Sequence, residues 1–171
     1  MKTILLMRHA QSSHGTGNKK DFGRPLGKQG SIDASRMGLF IKQTGHQPGY
    51  IEGSTAKRAK ETIDLFIKAA DVSSDIITWN EDLYYGGARD YLSVVQKASD
   101  DTDRIMIVGH NPLLEETVSL LCNGEGEYVA RIPSGGLICI EHPAIQWEQI
   151  KPGTARFRWM MIPELLQKME Q

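Results

Sequence analysis

The chain has 171 residues, 40% of them hydrophobic, with 20 basic and 21 acidic side chains and a formal net charge of −1. That suffices for one ordinary domain with a real core, and the near-neutral balance argues against a general nucleic-acid or membrane surface while leaving room for a local cationic pocket. No apolar run is long enough to span a bilayer, the first is too short for a signal peptide, and two cysteines, Cys122 and Cys139, make no disulfide framework, so a cytoplasmic chain with buried structural thiols is expected.

Thr3-Ile4-Leu5-Leu6-Met7 is an unbroken apolar run, the pattern of a strand covered on both faces. It stops at Arg8-His9. In open α/β sheets ligands bind outside the carboxyl ends of strands, so the pair is well placed for chemistry, although a strand leaving into solvent reads the same way. Residues 11–28 are polar, with Ser12, Ser13, His14 and the pair Lys19-Lys20; a loop of that length is usually functional or mobile. Within it Pro25 keeps Arg24 extended.

Gly30-Ser31 opens a predicted helix with Ile32, Met37, Leu39, Phe40 and Ile41 as its apolar face, ended by Gly45. Residues 50–53 form a weak strand. Ser54 or Thr55 then caps a helix over 56–70 that turns Ala59, Ile63, Phe66 and Ile67 inward. A strand over 75–79, a polar loop over 80–89 and a helix over 91–98 follow. The next strand, 103–108, is the clearest after the first and ends in Gly109-His110-Asn111-Pro112. A helix over 113–121 is broken by Gly124-Glu125-Gly126. Strands over 136–141, 145–150 and 156–161 and a short helix from Pro163 complete the chain. Strands alternating with helices predict an α/β fold with a largely parallel sheet covered on both faces.

Two strands ending in histidine, His9 and His110, would bring two imidazoles to one sheet edge if the strands are neighbours. Arg58, in the first turn of a helix whose N-terminus already favours anions, would add a fork able to hold two phosphoryl oxygens. With Arg8, this set suits a dianionic tetrahedral group. It suits zinc badly, because adjacent arginines repel a cation. Lys57 and Lys60 read as a solvated helix face, and His14, His46 and His142 as loop histidines without an evident partner. Trp79, Trp147 and Trp159 read as core or core-edge residues.

Met7-Arg8-His9-Ala10, Arg24-Pro25-Leu26 with Gly30, the run from Ser54 to Thr62 containing Arg58, and Val108-Gly109-His110-Asn111-Pro112 occur in an order that resembles the histidine phosphatase superfamily. The compact size and the Arg-Pro-Leu segment look most like its phosphohistidine phosphatase branch. The resemblance implies a phosphoglycerate-mutase-like, three-layer α/β/α sandwich with a mostly parallel central sheet, in a single domain 1–171 without a cap insertion. It implies His9 as a nucleophile that becomes phosphohistidine, His110 as a donor to the phosphoryl oxygens, and Arg8 and Arg58 as the neutralising charges, with no metal and no other cofactor. The family usually has Gly where Ala10 stands, a small change unless the backbone there needs positive φ. The Met7 or Gly109 backbone is a candidate to fix the His9 tautomer.

Relatives often place an acid after the third strand to protonate the leaving oxygen, and here Glu81 or Asp82 is the candidate, each equally readable as a solvated loop carboxylate. Arg24 either reaches the phosphate or forms a surface ion pair. Ser134-Gly135 either lines the pocket or makes a turn. The expected activity is hydrolysis of phosphohistidine in proteins, releasing inorganic phosphate. The partner is then a phosphorylated protein or a small phosphorylated substrate, with no nucleic acid and no membrane. The alternatives are a phosphatase of small phosphate esters and a non-catalytic phosphate-binding module.

Overall fold

A computed structural model describes residues 1–14, 21–125 and 128–170. Six strands and six α-helices fall within them: β1 (Lys2–Arg8), α1 (Lys28–Thr44), β2 (Tyr50–Ser54), α2 (Lys57–Ala70), β3 (Ile77–Asn80), α3 (Asp82–Tyr85), α4 (Ala88–Lys97), β4 (Arg104–Gly109), α5 (Leu113–Asn123), β5 (Leu137–His142), β6 (Arg156–Met161) and α6 (Pro163–Met169). The sheet order is β3-β2-β4-β1-β5-β6. The pairings β3–β2, β2–β4 and β4–β1 are parallel, and β5 runs antiparallel to both its neighbours. The mostly parallel α/β sandwich expected from the sequence is present.

The unbroken apolar run of β1 has its explanation in the two cores. Leu5 and Met7 face one side, with Met37 and Ile41 of α1, Ile63 and Phe66 of α2 and Leu166 of α6. Ile4 and Leu6 face the other, with Tyr91 and Val95 of α4 and Leu114 and Val118 of α5. All four β1 side chains are fully buried, and fully burying an aliphatic side chain is worth about 1.5–3 kcal/mol. The chain therefore leaves the adjacent strands β1 and β4 towards opposite faces. That is the topological switch point, the place in such sheets where a crevice opens at the carboxyl edge.

Several local expectations need correction. α1 starts two residues early, and Ile32 and Leu39 are exposed; its buried face is Gly30, Asp33, Ala34, Met37, Gly38 and Ile41, with Gly38 packed on the backbone of Phe66 in α2 and Gly30 on that of Gln11, where a Cβ would clash. Its end at Gly45 is as expected, with φ +68°. α2 is capped by neither Ser54 nor Thr55: its N-cap is Ala56, without a side-chain bond. Residues 80–89 contain α3 and the start of α4 rather than a plain loop. The strand expected over 145–150 is a 3₁₀ turn, Trp147–Gln149, because Trp147 is buried and its indole N–H donates to the carbonyls of Ser99 and Thr102. Trp79 is 39% exposed at the sheet edge, with the Lys60 ammonium over its ring. Lys19-Lys20 and Gly126 lie outside the described residues. No helix among the described residues is long and apolar enough to cross a membrane. Both cysteines are free, Cys139 buried and Cys122 half-buried.

Candidate active site

The parallel register of β1 and β4 sets Arg8 opposite Gly109, so the residues that follow, His9 and His110, leave the sheet side by side. The His9 N–H donates to the Gly109 carbonyl at 3.0 Å. The two ring centroids lie 5.1 Å apart, tilted by 51°, although the residues are a hundred positions apart in sequence. Gly109 allows this approach. A Cβ there would run into the Tyr91 hydroxyl, which accepts from the His110 N–H and donates to the Leu83 carbonyl.

Arg58, the second residue of α2, enters from the neighbouring strand's connection and joins both rings. Its Nε donates to His9 Nε2 at 3.2 Å, and its Nη2 lies 3.3 Å from His110 Nδ1. A guanidinium only donates, so both facing ring nitrogens carry lone pairs and both imidazoles are neutral. The opposite nitrogens then bear the protons: His9 Nδ1–H donates to the Ala10 carbonyl at 2.8 Å, and His110 Nε2–H to Ser54 Oγ at 2.7 Å. The tautomer of His9 is thus fixed by Ala10, not by Met7 or Gly109. Burial pushes His9 down to about 4, with Arg58, Arg8 and Arg24 adding to the effect. Burial, reinforced by His9 and Arg58, pushes His110 down to about 3. With Nδ1–H locked on Ala10, the nitrogen His9 can present to an electrophile is Nε2, whose lone pair here accepts from Arg58 Nε.

The remaining residues divide by whether they reach this cup. Arg8 donates to the Ile132 carbonyl at 3.1 Å, and its Nε is buried without a partner among the described residues. Ala10 is buried, outside the positive-φ region, and its N–H donates to Thr62 Oγ1, so the extra methyl is accommodated. Arg24 pairs with Asp21 at 2.8 Å. Gly135 forms a turn with φ +74°, its N–H donating to the His9 carbonyl. The Glu81 and Asp82 side chains are exposed and make no hydrogen bond to His9, His110, Arg8 or Arg58; Asp82 lines a separate cavity of about 310 Å³ with Glu52, Asn80 and Asp90. His142 is held by Thr154 and Ala144, and His46 lies edge-on to Trp159. Among the described residues no three of His, Cys, Asp and Glu converge as a metal site would need.

Three residues of the site escaped the sequence reading. Ser54, whose place before α2 suggests a cap, is fully buried and holds His110. Asp21 occupies Arg58: the guanidinium donates to its carbonyl at 2.8 Å and to its carboxylate at 3.0 Å. Tyr84, from α3, donates to the same carboxylate at 2.7 Å and sets its ring edge-on to His110, centroids 5.2 Å apart. The Tyr84 hydrogen bond, helped by the Arg58 and Arg24 charges, holds the Asp21 carboxyl below its ordinary range, and that same bond raises Tyr84. The i,i+3 pair Asp21/Arg24 was the one signal in the sequence that could have drawn attention to Asp21.

No family model matches the chain. An uncharacterised chloroplastic protein of Arabidopsis thaliana is 30% identical over 128 residues, which cover 70% of this chain and 59% of that protein. The chain thus matches under two thirds of that relative's length. Among solved structures, the protein histidine phosphatase SixA complexed with tungstate superimposes with a TM-score of 0.82 at 20% identity, over 96% of this chain and 99% of that one. A protein from Agrobacterium tumefaciens assigned as the phosphohistidine phosphatase SixA gives 0.76 at 24% identity, over 95% and 99%. These likenesses establish the fold.

Proposed function

We propose that this chain, which has the phosphoglycerate-mutase-like fold of the histidine phosphatase superfamily, is a metal-independent phosphatase that acts through His9 on phosphohistidine in proteins. The observation that carries this reading is the single guanidinium of Arg58 bridging His9 Nε2 and His110 Nδ1. Two neutral imidazoles and two arginines at a water-poor sheet edge fit a phosphoryl dianion. They disfavour a divalent cation by charge.

In the proposed reaction the incoming dianion draws the Arg58 N–H away from His9 Nε2, and the freed lone pair forms a bond to phosphorus as the bond to the leaving group breaks. The Ala10 carbonyl, already accepting from Nδ1–H, stabilises the positive charge that develops on the ring. Arg58 and Arg8 neutralise the equatorial oxygens, the main task in phosphoryl transfer. As the dianion enters and takes over Arg58, His110 Nδ1 gives up its contact with Nη2, takes a proton from solvent, since an anion favours the charged form, and donates it in a hydrogen bond to a phosphoryl oxygen. Water hydrolyses the phosphohistidine intermediate and frees His9.

The leaving group supports the choice of substrate. An alkoxide needs a strong acid, whereas a phosphorylated imidazole takes a proton from solvent at its other ring nitrogen and leaves as neutral imidazole. Neither Glu81 nor Asp82 bonds to the cluster, and the ionised Asp21 has no proton to give. A panel of a phosphohistidine peptide, phosphoserine and a sugar phosphate, each with EDTA, tests this. Phosphohistidine turnover resistant to EDTA and well above the esters is expected; equal or better rates on the esters would overturn the substrate, and loss with EDTA the mechanism.

A further inference from the structure

We infer that Phe22, Tyr84 and Tyr85 form a subsite for a planar ring attached to the phosphoryl group, an assignment that rests on the cup being a phosphoryl site. Tyr84 is the link between cup and wall. Its ring is edge-on to His110, and the Arg58 guanidinium lies 5.8 Å over it. Phe22 and Tyr85 each meet Tyr84 edge-to-face, at 5.1 and 4.7 Å, and lie within 14° of parallel to each other at 6.2 Å. None of the three belongs to either core.

Tyr85 is 70% exposed, so folding gains little from its ring. An aromatic cluster of this kind prefers a further ring in an offset or edge-on arrangement. What distinguishes the cluster from a chance apolar patch is its place, one ring away from the imidazoles that flank the phosphoryl position. A phosphorylated imidazole carries its ring one bond from phosphorus. It can therefore set its dianion in the cup and its ring on the wall at once, whereas an alkyl or sugar ester presents no flat face. The wall selects the leaving group by shape, and no acid is required for that selection.

Non-hydrolysable probes test the subsite without relying on turnover. Affinities of phenylphosphonate and methylphosphonate are measured at a pH where both are dianions, for the native chain and for Tyr85→Ala, Phe22→Leu and Tyr85→Phe. The native protein should hold phenylphosphonate more tightly by about three- to tenfold, the range an aromatic pair is worth. Tyr85→Ala and Phe22→Leu should erase most of that preference, and Tyr85→Phe, which keeps the ring, should retain it. Equal affinities in the native protein, or a preference indifferent to all three changes, would overturn the subsite. If the preference behaves as expected but phosphohistidine is not hydrolysed, the catalytic reading fails and the subsite stands.

Discussion

Arg58 grips Asp21 twice, through the backbone carbonyl at 2.8 Å and the carboxylate at 3.0 Å, with the same guanidinium that touches both imidazoles. A bidentate fork of this geometry is what a phosphoryl group would claim. The Asp21 carboxylate is half exposed, so it can leave at modest cost, and on the proposed function substrate binding becomes a competition between two anions for one arginine. Asp21→Asn removes the competing charge and should tighten inorganic phosphate by about three- to tenfold, read by isothermal titration calorimetry; weaker binding would mean that Asp21 organises the cup rather than competing for it.

Arg58→Lys keeps the charge but cannot reach two ring nitrogens and an anion with one ammonium. It should lower kcat by about 10²–10³-fold, the effect of removing one preorganised donor, with the fold intact by circular dichroism. A variant within a factor of a few of the native rate would show that Arg58 supplies charge alone.

The histidines predict a pH dependence of definite sign. In the unfolded chain both titrate near ~6.5, whereas in the folded protein they stand at about 4 and about 3. Below about 6.5 the unfolded state binds more protons, so these groups cost stability as the pH falls from about 6.5 to about 4 for His9 and on to about 3 for His110, and nothing above about 6.5. Proton NMR of the ring C–H signals should give midpoints far below 6.5, moving up when phosphate binds; midpoints between 6 and 7 in the free protein would contradict the buried, neutral pair.

Ser54→Ala leaves His110 Nε2–H without its acceptor. Losing one such bond is worth about 0.5–1.5 kcal/mol, so kcat/KM should fall by about two- to tenfold, accompanied by a change in the His110 titration that a purely structural cavity would not produce.

Gly109→Ala should destabilise the protein by about 1–3 kcal/mol, the cost of overpacking, because the new methyl meets the buried Tyr91 hydroxyl. In Tyr91→Phe, which lacks that hydroxyl, the same change should cost less. Equal losses of Tm in both backgrounds would show that the clash is elsewhere.

The sequence makes the site's chemistry legible before its geometry. His9 and His110 stand out because each ends an apolar strand, but their meeting depends on β4 lying beside β1, and no periodicity encodes strand order. Ser54 was hidden for the same reason: a serine before a helix reads as a cap until β2 is known to border β4. Asp21 and Tyr84 come from connecting segments placed by tertiary packing. Residues 145–148 alternate apolar and polar like a strand, yet the indole of Trp147 finds its acceptors in the turn before β4, and that anchor wins over propensity.

The central claim is that His9 Nε2 takes the phosphoryl group, Nδ1 being held by Ala10. Rapid acid-free quenching of the protein with a phosphohistidine peptide, followed by mass spectrometry and phosphorus NMR, measures this directly. The account predicts a short-lived, acid-labile phosphoramidate on His9 at Nε2, absent from His9→Ala. A phosphoryl group on Nδ1 or on another residue, or hydrolysis without any phosphoenzyme, would contradict it.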